Sequence, residues 1–180
     1  MTARPAGLVL AAGAGTRYGR PKAPVEVDGE RLVDRAVRCL RAGGCDPVIV
    51  VLGAWIGDVP GATVVVNAQW AEGMGSSLRI GLDAVAATDA HQVVVTLVDL
   101  PGLTAAAVAR VVEADGSIAV ATYQGERGHP VRFAREHWAG MALAAGGDAG
   151  ARGFLRGRGD VVLVEVGDVA SGHDVDEPAE

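Results

Sequence analysis

Short valine-rich runs alternate with amphipathic stretches along the 180-residue chain. Apolar runs of strand length fit strands that are buried on both faces, and the stretches between them repeat apolar residues at helical spacing. This alternation is typical of β-α-β units. We therefore predict an α/β fold, a single domain over residues 1–180 with a mostly parallel, Rossmann-like sheet between two helical layers (three-layer α/β/α). The predicted strands are Gly7–Ala12, Val48–Leu52, Thr63–Val66, Val93–Val98, Ile118–Tyr123 and Val161–Val166.

Glycines and hydroxyl residues mark the predicted helices. Apolar residues recur at helical spacing up to Leu40, and Gly43 and the glycine after it end that pattern. Thr104 is predicted to cap a later helix, and Ser76 or Ser77 to cap the helix before it.

The turn that follows the first predicted strand concentrates glycines and cations. Gly13, Gly15 and Gly19 lack a Cβ, so the backbone can adopt φ > 0 and its N–H groups can approach an anion closely. Arg17 offers forked donors to phosphate oxygens, and Lys22, the only lysine in the chain, offers a compact charge. The spacing matches neither the dinucleotide-binding fingerprint nor the Walker loop. A phosphate site and a purely structural loop therefore both stay open.

Ligands of an open parallel sheet bind beyond the carboxyl ends of its strands. Asn67 and Asp99 each follow such an end, so we expect both to lie near the glycine-rich turn. The Asp99 carboxylate is a suitable hard ligand for Mg²⁺, although the residue alone equally fits a turn cap. By residue type alone, His129 is interpreted as a structural histidine. The acidic tail around Asp174 is likewise interpreted as a solvated terminus.

Six segments in a fixed order resemble the MobA-like nucleotidyltransferases, and within them the chain is most similar to the molybdenum cofactor cytidylyltransferases. The resemblance spans essentially the whole chain. The matching segments are Leu10–Gly13 with Arg17, Gly19, Pro21 and Lys22; Asn67 with Glu72–Leu78; Val98–Pro101; Gly128–Phe133; Asp148–Arg152; and Asp174–Pro178.

The resemblance implies a fold of the nucleotide-diphospho-sugar transferase type and an Mg²⁺-dependent transfer. A nucleoside monophosphate, CMP from CTP, would move onto the phosphate of the molybdenum-molybdopterin cofactor with release of pyrophosphate. CTP is favoured because guanylyltransferase relatives typically carry glycine where this chain has Ala12, and a methyl there narrows the space beside the base. The alternatives are a GTP-using enzyme of the same fold, transfer to another phosphorylated acceptor, a nicotinamide-dependent oxidoreductase, which the glycine spacing disfavours, and a non-catalytic chaperone that delivers the cofactor.

The resemblance also implies roles for individual residues. Arg17, Lys22 and Asp99 would be catalytic, and Asp99, Asp174 and Asp176 would bind the metal. Gly128, His129 and Pro130 would bind the pterin-side substrate. The implied nucleotide-binding residues are Leu10, Ala11, Ala12, Gly13, Gly15, Arg17, Lys22, Asn67, Ser76, Ser77 and Asp99.

Composition limits the partners. The formal net charge of −6 opposes general binding to nucleic acid, which needs a basic face. No apolar run approaches the roughly 18 residues of a membrane span, and the amino terminus has no signal-peptide pattern, so we expect a cytoplasmic protein with no membrane partner. The resemblance implies a molybdenum hydroxylase that receives the product as the protein partner. Cys39 and Cys45 are too few and wrongly spaced for a zinc site or a CxxC redox pair, and both are predicted to be reduced and structural.

Overall fold

The computed structural model describes residues 4–176, so Glu177 and Pro178 of the tail segment lie outside the described residues. Within this range seven strands form one sheet in the order β5-β4-β1-β6-β8-β7-β9, and two short strands, β2 and β3, form a separate hairpin. The strands are β1 Ala6–Ala11, β2 Glu26–Val27, β3 Glu30–Arg31, β4 Val48–Leu52, β5 Thr63–Val66, β6 Gln92–Leu97, β7 Ile118–Tyr123, β8 Glu126–Ala134 and β9 Val161–Glu165.

Helices cover both faces of the sheet. Helices α1 and α3 pack on one face, where Leu40 and Val108 join the same buried cluster. Helices α2 and α4 pack on the other face, where Leu82 and Met141 are buried together. The predicted three-layer arrangement is confirmed, and strands β1 and β4 are buried along their whole length as a central parallel pair requires. The helices are α1 Leu32–Ala42, α2 Met74–Ala86, α3 Ala105–Glu113, α4 Trp138–Ala144 and α5 Arg152–Leu155.

Strand β8 was not predicted, and it is the one strand of the large sheet that runs antiparallel to its neighbours β6 and β7. Val131 lies opposite Val95 on one side and opposite Val120 on the other. The pairing with β7 then shifts between Val120 and Thr122. Pro130 lies at this irregularity, where a residue without a backbone N–H is tolerated. The antiparallel direction brings the amino end of β8 to the edge where the parallel strands end.

The helix ends agree with the sequence at two places and differ at a third. Helix α1 ends at Ala42 with Gly43 after it, and the Thr104 hydroxyl accepts from the Ala107 N–H at 3.2 Å, as predicted. The predicted cap at Ser76 or Ser77 is wrong, because α2 begins two residues earlier, at Met74. No helix within residues 4–176 is long and apolar enough to cross a membrane.

Candidate active site

A cavity of about 420 Å³ opens where the parallel strands end. The glycine-rich turn after β1 forms one side of it, and the start of α2 forms the other. A smaller cavity of about 170 Å³ adjoins it and reaches Asp99 after β6. We call the larger space the first cavity. The predicted site residues that line it are Leu10, Ala12, Gly13, Gly15, Arg17, Lys22, Ser77 and Asp176. Ala11 and Asp99 line the smaller one.

The glycines of the turn after β1 serve different purposes. Gly15 has φ +62°, and a Cβ there would clash with the carbonyl oxygen of Arg20. Gly19 has φ +90°, and its N–H donates to the Gly15 carbonyl at 2.7 Å, which closes the turn. Gly13 does not have the positive φ that the sequence suggested, and no protein atom lies within 4 Å of an added Cβ. Gly13 therefore leaves open space at the wall of both cavities, where a ligand can approach the backbone.

Lys22 lies in the middle of a charge network. Its Nζ donates to Asp99 Oδ2 at 3.0 Å and to Asp176 Oδ1 at 3.2 Å, and Arg17 lies 3.5 Å from the other Asp176 oxygen. Burial opposes the ammonium charge, yet the hydrogen bonds and charges of the two carboxylates raise the pKa of Lys22 above its ordinary value. The Lys22 hydrogen bond in turn lowers the pKa of Asp176. The structure thus brings all the predicted catalytic side chains, Arg17, Lys22 and Asp99, into one network.

Three carboxylates meet beside this network and fit a divalent cation. Asp99, Asp174 and Asp176 each offer an oxygen, and these oxygens lie within 4.8 Å of one another. The Asp99 Oδ1 atom is buried and has no hydrogen-bond partner among the described residues. The chain after β9 delivers the other two carboxylates, because the Val175 N–H donates to the Asp99 carbonyl at 2.9 Å. Hard oxygen ligands in this number suit Mg²⁺ or Mn²⁺.

Asn67 lies behind the first cavity rather than on its wall. It is fully buried, and its amide nitrogen donates to Ser76 Oγ at 2.8 Å and to Ser77 Oγ at 2.9 Å. The Gln69 N–H donates to the side-chain oxygen of Asn67 at 2.9 Å. These bonds orient Ser77, which lines the first cavity, while Ser76 donates to the Gly73 carbonyl at 2.8 Å. Direct nucleotide contact by Asn67 and Ser76 stays a prediction, and the structure gives both a supporting position.

A second cavity, of about 350 Å³, adjoins the first. Met74 lines both. Gly128 and His129 at the amino end of β8 line the second cavity, and Pro130 is buried beside them. Burial, with a contribution from the charge of Arg152, lowers the pKa of His129 to about 4, so its imidazole is neutral at neutral pH.

Several lining residues were not predicted as site residues. Trp70 and Met74 lie near the start of α2, and Asp148 lies in the turn before α5; all three line the first cavity. Arg127 and Arg152 line the second. The matching segments Glu72–Leu78 and Asp148–Arg152 contained Met74, Asp148 and Arg152, so a signal for these existed in the sequence.

Residues 7–162 match the model of the MobA-like NTP transferase domain. The chain belongs to this family. Its central sheet is that of the nucleotide-diphospho-sugar transferase fold, as the resemblance implied. The glycine-rich turn and Asp99 both lie within the matched range.

Two relatives carry different names. The nicotine blue oxidoreductase of Paenarthrobacter nicotinovorans is 40% identical over 94% of this chain and 91% of that protein. The probable molybdenum cofactor guanylyltransferase of Opitutus terrae is 37% identical over 56% of this chain and 50% of that protein. Family membership is thus common to relatives whose named activities differ.

Solved mycobacterial structures resemble the whole chain. The Mycobacterium tuberculosis protein Rv0371c is 28% identical, and the match covers 98% of this chain and 95% of that chain with a TM-score of 0.80. A second structure of Rv0371c is a complex with manganese; it is 26% identical with a TM-score of 0.75 and covers 91% of this chain and 89% of that chain. A divalent cation is therefore a known component of one structural relative.

Proposed function

We propose that the protein transfers CMP from CTP to the phosphate of the molybdenum-molybdopterin cofactor and releases pyrophosphate. The observation that carries this proposal is the meeting of two elements at adjoining cavities: a glycine-rich turn with Arg17 and Lys22, and a carboxylate cluster around Asp99 that Lys22 contacts. Family membership supports nucleotidyl transfer, and the name of the Opitutus terrae relative supports a cofactor of the molybdopterin kind.

The choice of CTP rests on Ala12. Its side chain is buried at the wall of the first cavity, where a methyl narrows the room for a base. A pyrimidine needs less room than a purine, so we infer CTP, with GTP as the alternative that the Opitutus terrae relative's name favours.

The chain's own residues would align and neutralise the phosphates. The acceptor phosphate is already ionised at neutral pH, so it can attack the α-phosphorus in line without a general base. N–H groups of the turn around Gly15, together with Arg17, would stabilise the charge that develops on pyrophosphate. Lys22 would exchange its bonds to Asp99 and Asp176 for bonds to phosphate oxygens in the same space.

Asp99, Asp174 and Asp176 would hold Mg²⁺, in agreement with their clustered oxygens and the unpartnered Asp99 Oδ1. A divalent cation supplies neutralisation of phosphate charge when it is bound. The product would pass to a molybdenum hydroxylase. The cytoplasmic location stays a prediction from the sequence.

The test is pyrophosphate release with Mg²⁺, the molybdopterin cofactor and either CTP or GTP. We expect release with CTP, and a loss of at least about a hundredfold in Lys22→Ala, which removes a cation beside the phosphates, and in Asp99→Asn, which removes the charge of a metal ligand. Arg38→Gln is the matched control, since Arg38 pairs with Glu30 on an exposed surface. Near-normal release by Lys22→Ala would contradict the assignment, and release with GTP alone would overturn the choice of base.

A second candidate function is the reduction of an organic substrate. The relative from Paenarthrobacter nicotinovorans, which is named an oxidoreductase, matches 94% of this chain at 40% identity. An NADH or NADPH fluorescence titration separates the two candidates: binding of a reduced nicotinamide and no binding of CTP or GTP would favour the oxidoreductase.

A further inference from the structure

Residues 167–176 follow β9 and return to the turn after β6; we call them the return segment. The Ser171 N–H donates to the Gly102 carbonyl at 3.1 Å, and the Val175 N–H donates to the Asp99 carbonyl at 2.9 Å. The later residue of the return segment thus bonds the earlier residue of the turn, so the two run in opposite directions. Backbone bonds hold the return segment against the turn at two places.

Gly102 is a point of very close approach in this contact. A Cβ at Gly102 would lie 2.6 Å from the Ser171 Cβ, 2.7 Å from the Ser171 carbonyl oxygen and 3.1 Å from the Ser171 Cα. Two of these atoms belong to the backbone, which cannot rotate away as the end of a long side chain can. The φ of Gly102 is not positive, so its backbone conformation does not require glycine. The absence of a side chain at Gly102 therefore serves the approach of the return segment.

Gly172, the next residue of the return segment, lies equally close to the ring of Tyr123. A Cβ there would lie 2.7 to 3.0 Å from three atoms of the ring. The ring is not free to swing away, because the Tyr123 hydroxyl donates to the His129 carbonyl at 2.7 Å. The φ of Gly172 is not positive either. Two successive residues of the return segment thus make contacts that leave no room for one more carbon atom.

A side chain added at either glycine would move the return segment rather than the turn. Leu100 and Leu103 of the turn are buried in the core beneath α1 and α3. His173 and Asp174 of the return segment are exposed, so little packing holds them in place. The less strongly held partner yields when two segments collide.

We propose that Gly102 and Gly172 are positioning residues for the divalent cation. By admitting the return segment, they bring its carboxylates, Asp174 and Asp176, beside Asp99. The inference rests on the proposed function, which assigns these three carboxylates to the metal. Glycine has no side-chain ligand of its own, so both residues act only through the position of the return segment. Groups that orient metal ligands typically change metal affinity about ten- to a hundredfold when they are replaced.

Titration with Mn²⁺, followed by electron paramagnetic resonance, measures this effect without nucleotide and without turnover. We expect Gly102→Ala to weaken Mn²⁺ binding at least about tenfold. Gly172→Ala should weaken it at least about threefold, since a ring yields more readily than backbone; it changes only the exposed return segment, so it tests the inference even if Gly102→Ala folds poorly. Gly159→Ala is the matched control, because a Cβ there meets no atom within 4 Å, and its Mn²⁺ affinity should equal that of the wild type.

Hydrogen exchange, read by mass spectrometry on the same variants, separates displacement of the return segment from general damage. Exchange of residues 171–176 should become faster in Gly102→Ala and Gly172→Ala, while exchange in β6 and α3 stays as in the wild type. Unchanged Mn²⁺ affinity in both variants would overturn the proposal, and so would weaker affinity with unchanged exchange of residues 171–176. Faster exchange that spreads through β6 and α3, or a wild-type protein that binds no Mn²⁺, would overturn it as well.

Pyrophosphate release, measured separately, distinguishes this inference from the proposed function. A wild-type protein that releases no pyrophosphate from CTP or GTP, yet loses Mn²⁺ affinity in both glycine variants, would refute the transfer and leave the inference in place. Pyrophosphate release by the wild type, with Mn²⁺ affinity unchanged in both variants, would do the reverse.

Discussion

Replacement of Lys22 by methionine tests the charge network directly. Methionine keeps an unbranched apolar stem but leaves Asp99 and Asp176 without their shared cation. The Lys22 and Asp99 side chains are only 13% and 20% exposed, so their bond at 3.0 Å is largely shielded from water. A hydrogen bond between charged groups in such a place contributes about 2 kcal/mol, and its loss lowers the folded-to-unfolded ratio roughly thirtyfold. The Asp176 contact is solvent-exposed and adds nothing to this figure.

The assay is thermal and urea denaturation of wild-type and Lys22→Met protein, with and without Mn²⁺. For a chain of this size, about 2 kcal/mol corresponds to a Tm lower by about 4 to 8 °C. Mn²⁺ should restore part of this loss, because the cation replaces the missing positive charge beside the carboxylates, and ligand binding to the folded state adds stability. Arg38→Met serves as the control, since exposed ion pairs contribute at most about 1 kcal/mol.

The pH dependence of this difference has a definite sign. The folded-state pKa of Lys22 is raised, so its contribution is complete below the ordinary value of 10.5 and disappears only as the pH rises through the folded-state value. The difference between the two proteins should therefore stay constant between about pH 6 and pH 9. A Lys22→Met protein as stable as the wild type, or one that Mn²⁺ stabilises no more than the wild type, would refute this account of the network.

Three further predictions concern other parts of the chain. Gly13→Ala should leave the unfolding free energy unchanged and weaken nucleotide binding in calorimetry, whereas Gly15→Ala should lower the melting temperature, because only its Cβ clashes with backbone. Arg132→Met should cost about 3 kcal/mol in urea denaturation, since the buried guanidinium donates to four carbonyl oxygens in the last turn of α3 and just beyond it; a loss below about 1 kcal/mol would contradict this. The lowered pKa of His129, about 4, should reduce stability as the pH falls from about 6.5 to 4, by up to about 3 kcal/mol, and His129→Phe should abolish that slope.

The sequence predicted the parallel strands well because their signal is local. The runs Val48–Leu52, Thr63–Val66 and Ile118–Tyr123 coincide with the observed strands β4, β5 and β7. Strands β4 and β7 are buried almost throughout and must be apolar, so each run marks its own strand. The edge strand β5 is only partly buried and is marked by its β-branched residues. The glycine-rich turn could be predicted because its signal is also local: the backbone at position 15 has a positive φ and no room for a Cβ, so the sequence has glycine there.

The features that escaped prediction depend on distant parts of the chain. Strand β8 contains Pro130 and the buried Arg132, which break the expected alternation. The sheet tolerates Pro130 at a pairing irregularity, and Arg132 donates to carbonyls at the end of α3 and just beyond it. Helix α2 begins at Met74, because Gly73 with φ +105° turns the chain there. The serines that were predicted as caps lie at the third and fourth positions of the helix. The bond between Lys22 and Asp176 joins residues 154 positions apart, a separation that no local pattern encodes.

The return of the chain after β9 to the Asp99 turn has a consequence for synthesis. Strands β1, β4 and β6 lie in the first 97 residues and can pair while the ribosome is still translating the rest. Asp176 can reach Lys22 only after the chain up to residue 176 has left the exit tunnel. A nascent molecule therefore forms its central strands before Asp176 can pair with Lys22, and an affinity tag fused behind residue 176 begins close to the Lys22–Asp99 network.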